Sequence, residues 1–311
     1  MQLKPDFAFR PLPDIKTPLR FSLQTAAAAA SPLGPLQDLP GVWIGQGFNV
    51  IWRPNGPPGH FLELNLTEET LEIEEIKGAI PNRGLLQADI NMFGVTYLQQ
   101  IKDANNKAGL HIEPGIWASV PQTENPAEVP TVVRMASIPH GTTVLAQGVA
   151  TDFVGSPQFP SIDITPFVIG TAEKVPFPES NLATPSNSRS SPADIAGISQ
   201  AMVDNPNSVL SAAIAGQTIK RTVVLDVSSD PTMPVTGGGL TNTAFLQGAI
   251  ATGPNAQAAL VTAIFWIETL QGHGSGRDTL QLQYTQTVLL NFNGLSWPHV
   301  TVGTLRKTSM A

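Results

Sequence analysis

The sequence predicts a mainly β protein, an antiparallel barrel of about ten or more strands carrying a small helical insertion. Three observations lead there. Glycine and proline are abundant, 27 and 28 of 311 residues, which suits short strands joined by turns rather than a helical bundle. Segment after segment alternates apolar and polar residues with the period of two that a strand requires. Helical signals are confined to one stretch, residues 149–218.

Taken in order, residues 1–38 read as a Pro-rich arm and residues 39–148 as the first part of the barrel. In Gly41-Val-Trp-Ile-Gly-Gln-Gly-Phe-Asn-Val-Ile-Trp52, Trp43, Gly45, Gly47 and Asn49 share one face and mostly apolar residues the other. Strands are expected next over 61–66, 70–76, 85–101, 109–117, 131–138 and 142–147, with Pro139-His-Gly141 as a turn. Glu72, Glu74 and Glu75 read as a solvated face. Residues 149–218 form the insertion. It is loop-like from Pro157, with a helix entering at Ser191-Pro192 and running to about Val203, and a second one after Asn207. This insertion is expected to cover one mouth of the barrel. Residues 219–311 complete the barrel, with strands over 218–227, 243–250, 257–270, 279–292 and 299–306.

Composition narrows the function. The chain is 41% hydrophobic and only 13% charged, the balance of a well-packed globular protein. Its formal net charge is −7 with scattered basic residues, so nucleic-acid and anionic-membrane partners are not expected. There is no cysteine, which excludes disulfides, thiolate metal sites, cysteine nucleophiles and covalent c-type haem. No apolar h-region stands in Met1 to Phe21, and cytoplasmic location is the expectation. The nucleophile elbow, the P-loop and the H-E-x-x-H motif are all missing. Gly237-Gly-Gly239 follows Val235-Thr236 without opening a helix, so it reads as a turn rather than a phosphate cradle.

The five histidines are the main chemical signal. No two stand at metal-ligand spacing on one element. His60, His140 and His273 fall at strand starts or turns and read as ordinary polar residues. His111 and His299 lie in strong strands, where an imidazole points into a lumen or out to water. His299 alternates with Thr301, Gly303 and Leu305, small or apolar company that suits a ligand-facing ring as well as a satisfied core histidine.

Four ordered motifs carry a resemblance. Gly41-Val-Trp-Ile-Gly-Gln-Gly47 is similar to a G-x-W-x-G-x-G opening. Leu110-His-Ile-Glu-Pro-Gly-Ile-Trp117 is similar to an L-H-x-E-x-G-x-W strand. Val133 to Gly148 resembles the hairpin that follows, and Trp297-Pro-His-Val-Thr-Val-Gly-Thr-Leu305 the last strand. Together they resemble the nitrobindin family, haem-binding members of the calycin superfamily of antiparallel barrels. The resemblance covers 41–148 and 279–307, and the arm and residues 149–278 have no counterpart in it. It implies a calycin-like barrel with a b-type haem. His299 would be the axial ligand of the iron, with Trp43, Met92, Trp117 and Gly303 around the cofactor and His111 as a further cavity residue. The implied chemistry is peroxidase-like or isomerase-like action on a small oxidant such as peroxide, peroxynitrite or nitric oxide.

Two other readings stay open at this stage. One is a lipocalin-like carrier of a lipid or other apolar small molecule without haem. The other is a non-haem cyclase or isomerase using His111 and Glu113 as cavity acid and base, since residues two apart on a strand share a face. All three place a small-molecule ligand in the barrel cavity, and edge strands leave a homo-oligomer open.

Overall fold

The computed structural model describes residues 31–138, 140–232, 237–272 and 276–308. Most of the arm, together with Pro139, Val235-Thr236 and His273, lies outside the described residues.

Ten long strands form the barrel: β1 (Gly41–Pro54), β2 (His60–Glu75), β3 (Ile90–Asp103), β4 (Gly109–Val120), β5 (Thr131–Ile138), β6 (Thr142–Val154), β7 (Ile219–Ser228), β8 (Gln257–Leu270), β9 (Thr279–Phe292) and β10 (Leu295–Lys307). Each pairs antiparallel with the next in the chain, and β10 returns to pair with β1. The sheet is therefore a closed up-and-down barrel, consistent with a calycin-like fold, in which these strands have no open edge among themselves. Glu72 and Glu74 are exposed on the outer face of β2, and Glu75 is exposed at its end.

Two expected strands, 61–66 and 70–76, are one continuous strand, because the polar residues between them keep the inward–outward alternation. The expected strand at 243–250 is instead a helical turn, Ala244–Gln247, ended by Gly248 at φ 72°. The helix expected from Ser191 is broken by Gly197 at φ 88°. Only α1 (Gln200–Asp204) and α2 (Ser208–Ala213) are regular there.

Inward residues separate into two halves. At the end where β1 starts, Leu33, Leu36 and Leu39 fold in beneath the strands and join a core with Trp43, Leu71 and Ile73. The indole of Trp43 donates to the carbonyl of Leu39 (2.8 Å), which fixes that segment against the first strand. Leucines thus close this end. The other end, at the β1–β2, β3–β4 and β5–β6 turns, holds an open cavity.

The insertion does not sit over a mouth. It lies against the outer wall, where Ile164, Ile198, Val203 and Leu210 cover the outward side chains Phe48, Val50, Trp52, Leu62 and Val300. The reason lies in β1 itself: its outward positions are apolar, and such a face must be buried against something. Backbone bonds join the layers, with Leu62 N–H donating to Ser188 O (2.8 Å) and Ser190 N–H to Leu62 O (3.0 Å). The long irregular stretch is held by Arg189, whose guanidinium donates to the carbonyls of Glu179, Asn181, Leu182 and Thr184. Among the described residues no helix is long and apolar enough to cross a membrane.

Candidate functional site: the open end of the barrel

The cavity at the open end has a volume of ≈ 280 Å³. Its walls are largely apolar, from Ile51, Ile101, Leu110, Ile138, Val288 and Leu290. Three imidazoles break that surface. His299 projects from β10, His111 from β4 and His140 from the β5–β6 turn. In a ten-strand barrel the β5–β6 turn is five strands from β10, so His140 stands across the lumen from His299. His111 and His140 are neighbours, with ring centroids 5.6 Å apart.

His299 is held by one partner. Its Nε2–H donates to Asn49 Oδ1 (3.1 Å), an oxygen that also accepts from Thr301 Oγ1 (2.8 Å). All three residues are inward positions on the paired strands β1 and β10. Burial, reinforced by the charges that His111 and His140 can carry, pushes the His299 imidazole down to about 3. It is therefore neutral at physiological pH, and the nitrogen not bonded to Asn49 keeps a free lone pair. Burial and the nearby His111 also lower His140.

His111 is oriented from below. Its Nε2–H donates to Glu113 Oε2 (3.3 Å), and Glu113 is fully buried. Glu113 also accepts from Arg134 Nη2 and from the Tyr97 hydroxyl. Burial opposes ionisation of Glu113, but the Arg134 guanidinium outweighs it, and with help from His111 and Tyr97 holds the carboxyl at about 2. Glu113 is ionised, enclosed and off the cavity surface. That geometry suits a residue that positions His111 and does not suit a base that touches substrate.

The polar layer continues as the floor of the cavity. Arg134 Nε donates to Tyr97 Oη (2.9 Å) and Nη1 to Gln286 Oε1 (2.5 Å). Beside them, Gln99 donates to Tyr284 Oη (3.0 Å), and Tyr284 donates to the buried Glu69 (2.6 Å). Burial raises the Glu69 carboxyl above its ordinary range. The Arg134 guanidinium also lies 5.3 to 5.8 Å from the ring centres of Tyr97, Trp117 and Phe265, which fixes its plane.

No protein-family model matches this chain, and no curated protein matches it. A similar solved structure is that of Rv2717c from M. tuberculosis, 12% identical, covering 88% of this chain and 98% of that one at a TM-score of 0.39. Similarity of that degree does not bear on chemistry.

The structure brings His111 and His299 into one cavity, as the strand pattern allowed. The other residues named from the sequence fall elsewhere. Trp43 packs at the closed end. Trp117 lies inside but beneath the polar layer, beside a void of only ≈ 10 Å³. Met92 stands opposite Ile80 at the start of β3, also remote from the cavity. Gly303 faces inward, and the space it leaves is taken by Tyr284. Sequence reasoning did not identify Asn49, Gln286 or Arg134 as site residues, and it set His140 aside as an ordinary turn residue.

The donor set can be weighed against a haem. Iron needs a neutral imidazole whose second nitrogen is anchored, and His299 with Asn49 meets both requirements. A macrocycle needs apolar walls, which the leucines and isoleucines supply. Arg53, half exposed at the rim, is paired with Glu63 (2.8 Å), so its charge is already matched. Among the described residues no group of three or more His, Cys, Asp or Glu could hold a metal ion, but a haem iron asks for a single axial side chain. The axial donor and the apolar walls fit the group, while the ≈ 280 Å³ of the cavity is less than a whole four-ring macrocycle needs.

Proposed function

We propose that this protein binds haem b at the open end of the barrel, with His299 as axial ligand. The observation that supports it is the neutral, Asn49-anchored imidazole on the wall of an apolar cavity. When bound, the iron would supply ligand exchange and redox chemistry toward a small oxidant such as peroxide, peroxynitrite or nitric oxide. The protein's own part is to orient and to exclude water. Asn49 sets the tautomer of His299, the aliphatic walls face the bound molecule, and Glu113 holds the His111 ring. His111 and His140, across from His299, are the groups able to move a proton or donate a hydrogen bond there.

The test is a visible absorption titration with haemin. A sharpened Soret band reaching one equivalent, and lost in His299→Ala while circular dichroism is unchanged, is the expected result. A full Soret band in His299→Ala removes the axial assignment.

The cavity volume favours a second reading. At ≈ 280 Å³ it is about twice the ~150 Å³ of a cavity that binds benzene, so it suits a two-ring or short-chain apolar molecule. A protein that leaves the haemin spectrum unaltered and carries such a molecule through purification is a carrier.

A further inference from the structure

We propose that the inner end of the cavity is a subsite for an uncharged, hydrogen-bond-accepting oxygen (a carbonyl or hydroxyl) on an otherwise apolar molecule, with Gln286 as its donor. This goes beyond the haem assignment and stands on the floor of the cavity alone.

Most polar groups of the floor are already committed to one another. Arg134 uses each of its three nitrogens on a protein partner: Tyr97, Gln286 and Glu113. The Tyr284 hydroxyl is also committed, donating to Glu69 and accepting from the Gln99 amide. Gln286 is different. Its carbonyl oxygen accepts from Arg134 Nη1, so the amide must turn its two N–H groups the other way. Gln286 lines the cavity, and that nitrogen has no hydrogen-bond partner among the described residues. Those N–H groups reach the cavity surface, where a ligand oxygen can accept from them in place of water.

Charge decides what kind of oxygen. The Arg134 guanidinium is matched by the Glu113 carboxylate, so the pair offers no net positive charge to the cavity. Glu69 behind Tyr284 adds either nothing, when protonated, or a negative charge. A carboxylate or phosphate at this depth would be desolvated with no counter-charge on the floor, whereas a ketone, aldehyde or alcohol loses little water and gains the Gln286 N–H. The inner end therefore selects against anions.

Three probes of one shape test this on haem-free protein: 2-acetylnaphthalene, 2-ethylnaphthalene and 2-naphthoate, followed by fluorescence titration. The ketone should bind about 3- to 10-fold more tightly than the hydrocarbon, the range one neutral hydrogen bond gives, and the carboxylate should bind weakest. Gln286→Glu keeps an acceptor for Arg134, so the floor stays paired, but it removes the N–H donors. In this variant the ketone preference should vanish while the hydrocarbon still binds. Tightest binding by 2-naphthoate, a ketone preference that survives in Gln286→Glu, or no binding of any probe would overturn the proposal. Repeating the titration in His299→Ala should leave the ketone preference intact. The haem assignment and this one therefore fail separately.

Discussion

Tyr284 and Gly303 face each other in register between β9 and β10, and the tyrosine ring occupies the place a side chain on Gly303 would need. A Cβ there would lie 2.5 Å from the ring. Tyr97 and Gly115 repeat the arrangement between β3 and β4. In both pairs a glycine lets a ring lie flat across the neighbouring strand, so that its hydroxyl reaches a buried glutamate: Glu69 for Tyr284 and Glu113 for Tyr97. Gly303→Val should displace Tyr284, separate it from Glu69 and destabilise the protein by about 1–3 kcal/mol. Urea denaturation measures this, and unchanged stability would mean that the ring has room elsewhere.

Removing one member of the buried ion pair should cost more than removing both. Arg134→Met leaves Glu113 charged and enclosed, a loss of about 3–5 kcal/mol. Adding Glu113→Gln should restore a good part of that. A double-mutant cycle reads the difference, and additive losses would show that the two side chains do not depend on each other.

The outer wall carries a buried carboxyl of its own. Glu268 is fully enclosed, and its one side-chain partner among the described residues is the amide of Gln281. Burial pushes it up to about 7 from an ordinary 4.5. A carboxyl raised in the folded state contributes stability that is complete below the unfolded value and is lost as pH rises through the folded one. Stability should therefore fall between pH ~4.5 and ~7, by ~3 kcal/mol from this group. Glu268→Gln should flatten that slope and leave the variant the more stable protein at pH 8. A wild-type slope that persists in the variant assigns it to another group.

The insertion is anchored by aromatic contact. Trp297 stacks on Phe177 from the insertion (5.1 Å) and on Phe292 (4.6 Å), and Trp52 lies 5.5 Å from it. Trp297→Ala should loosen residues 155–217 from the wall. Limited proteolysis should then cut within that span well before the barrel strands. Equal resistance in both proteins would place the anchor elsewhere, for example at Arg189.

The barrel was legible because strand alternation is local. Trp43, Gly45, Gly47 and Asn49 share the inward face of β1 as their spacing required. The docking of the insertion had a signal too, since Phe48, Val50 and Trp52 make the opposite face of the same strand apolar, and a strand apolar on both sides needs cover on both. The site was only partly legible. His299 and His111 follow from strand parity. His140 is exposed in a turn, as expected, but which rim a turn joins does not show in the turn's own residues, so its place at the cavity did not show either. The bond between Arg134 and Gln286 joins residues 152 positions apart, and no local pattern announces such a pairing. The short helical turn at Ala244–Gln247 was lost because an apolar run of that length looks the same in either state.

Among the described residues, the leucines at positions 33, 36 and 39 fill one end and leave the barrel a cup open at the other. Whatever enters must back out along the same route, past His111, His140 and His299, and nothing can push it through from behind. Exchange is then governed by the rim. A competitor cannot hurry the departure of a bound molecule, and residence time should respond to the width of the doorway as well as to the fit at the bottom.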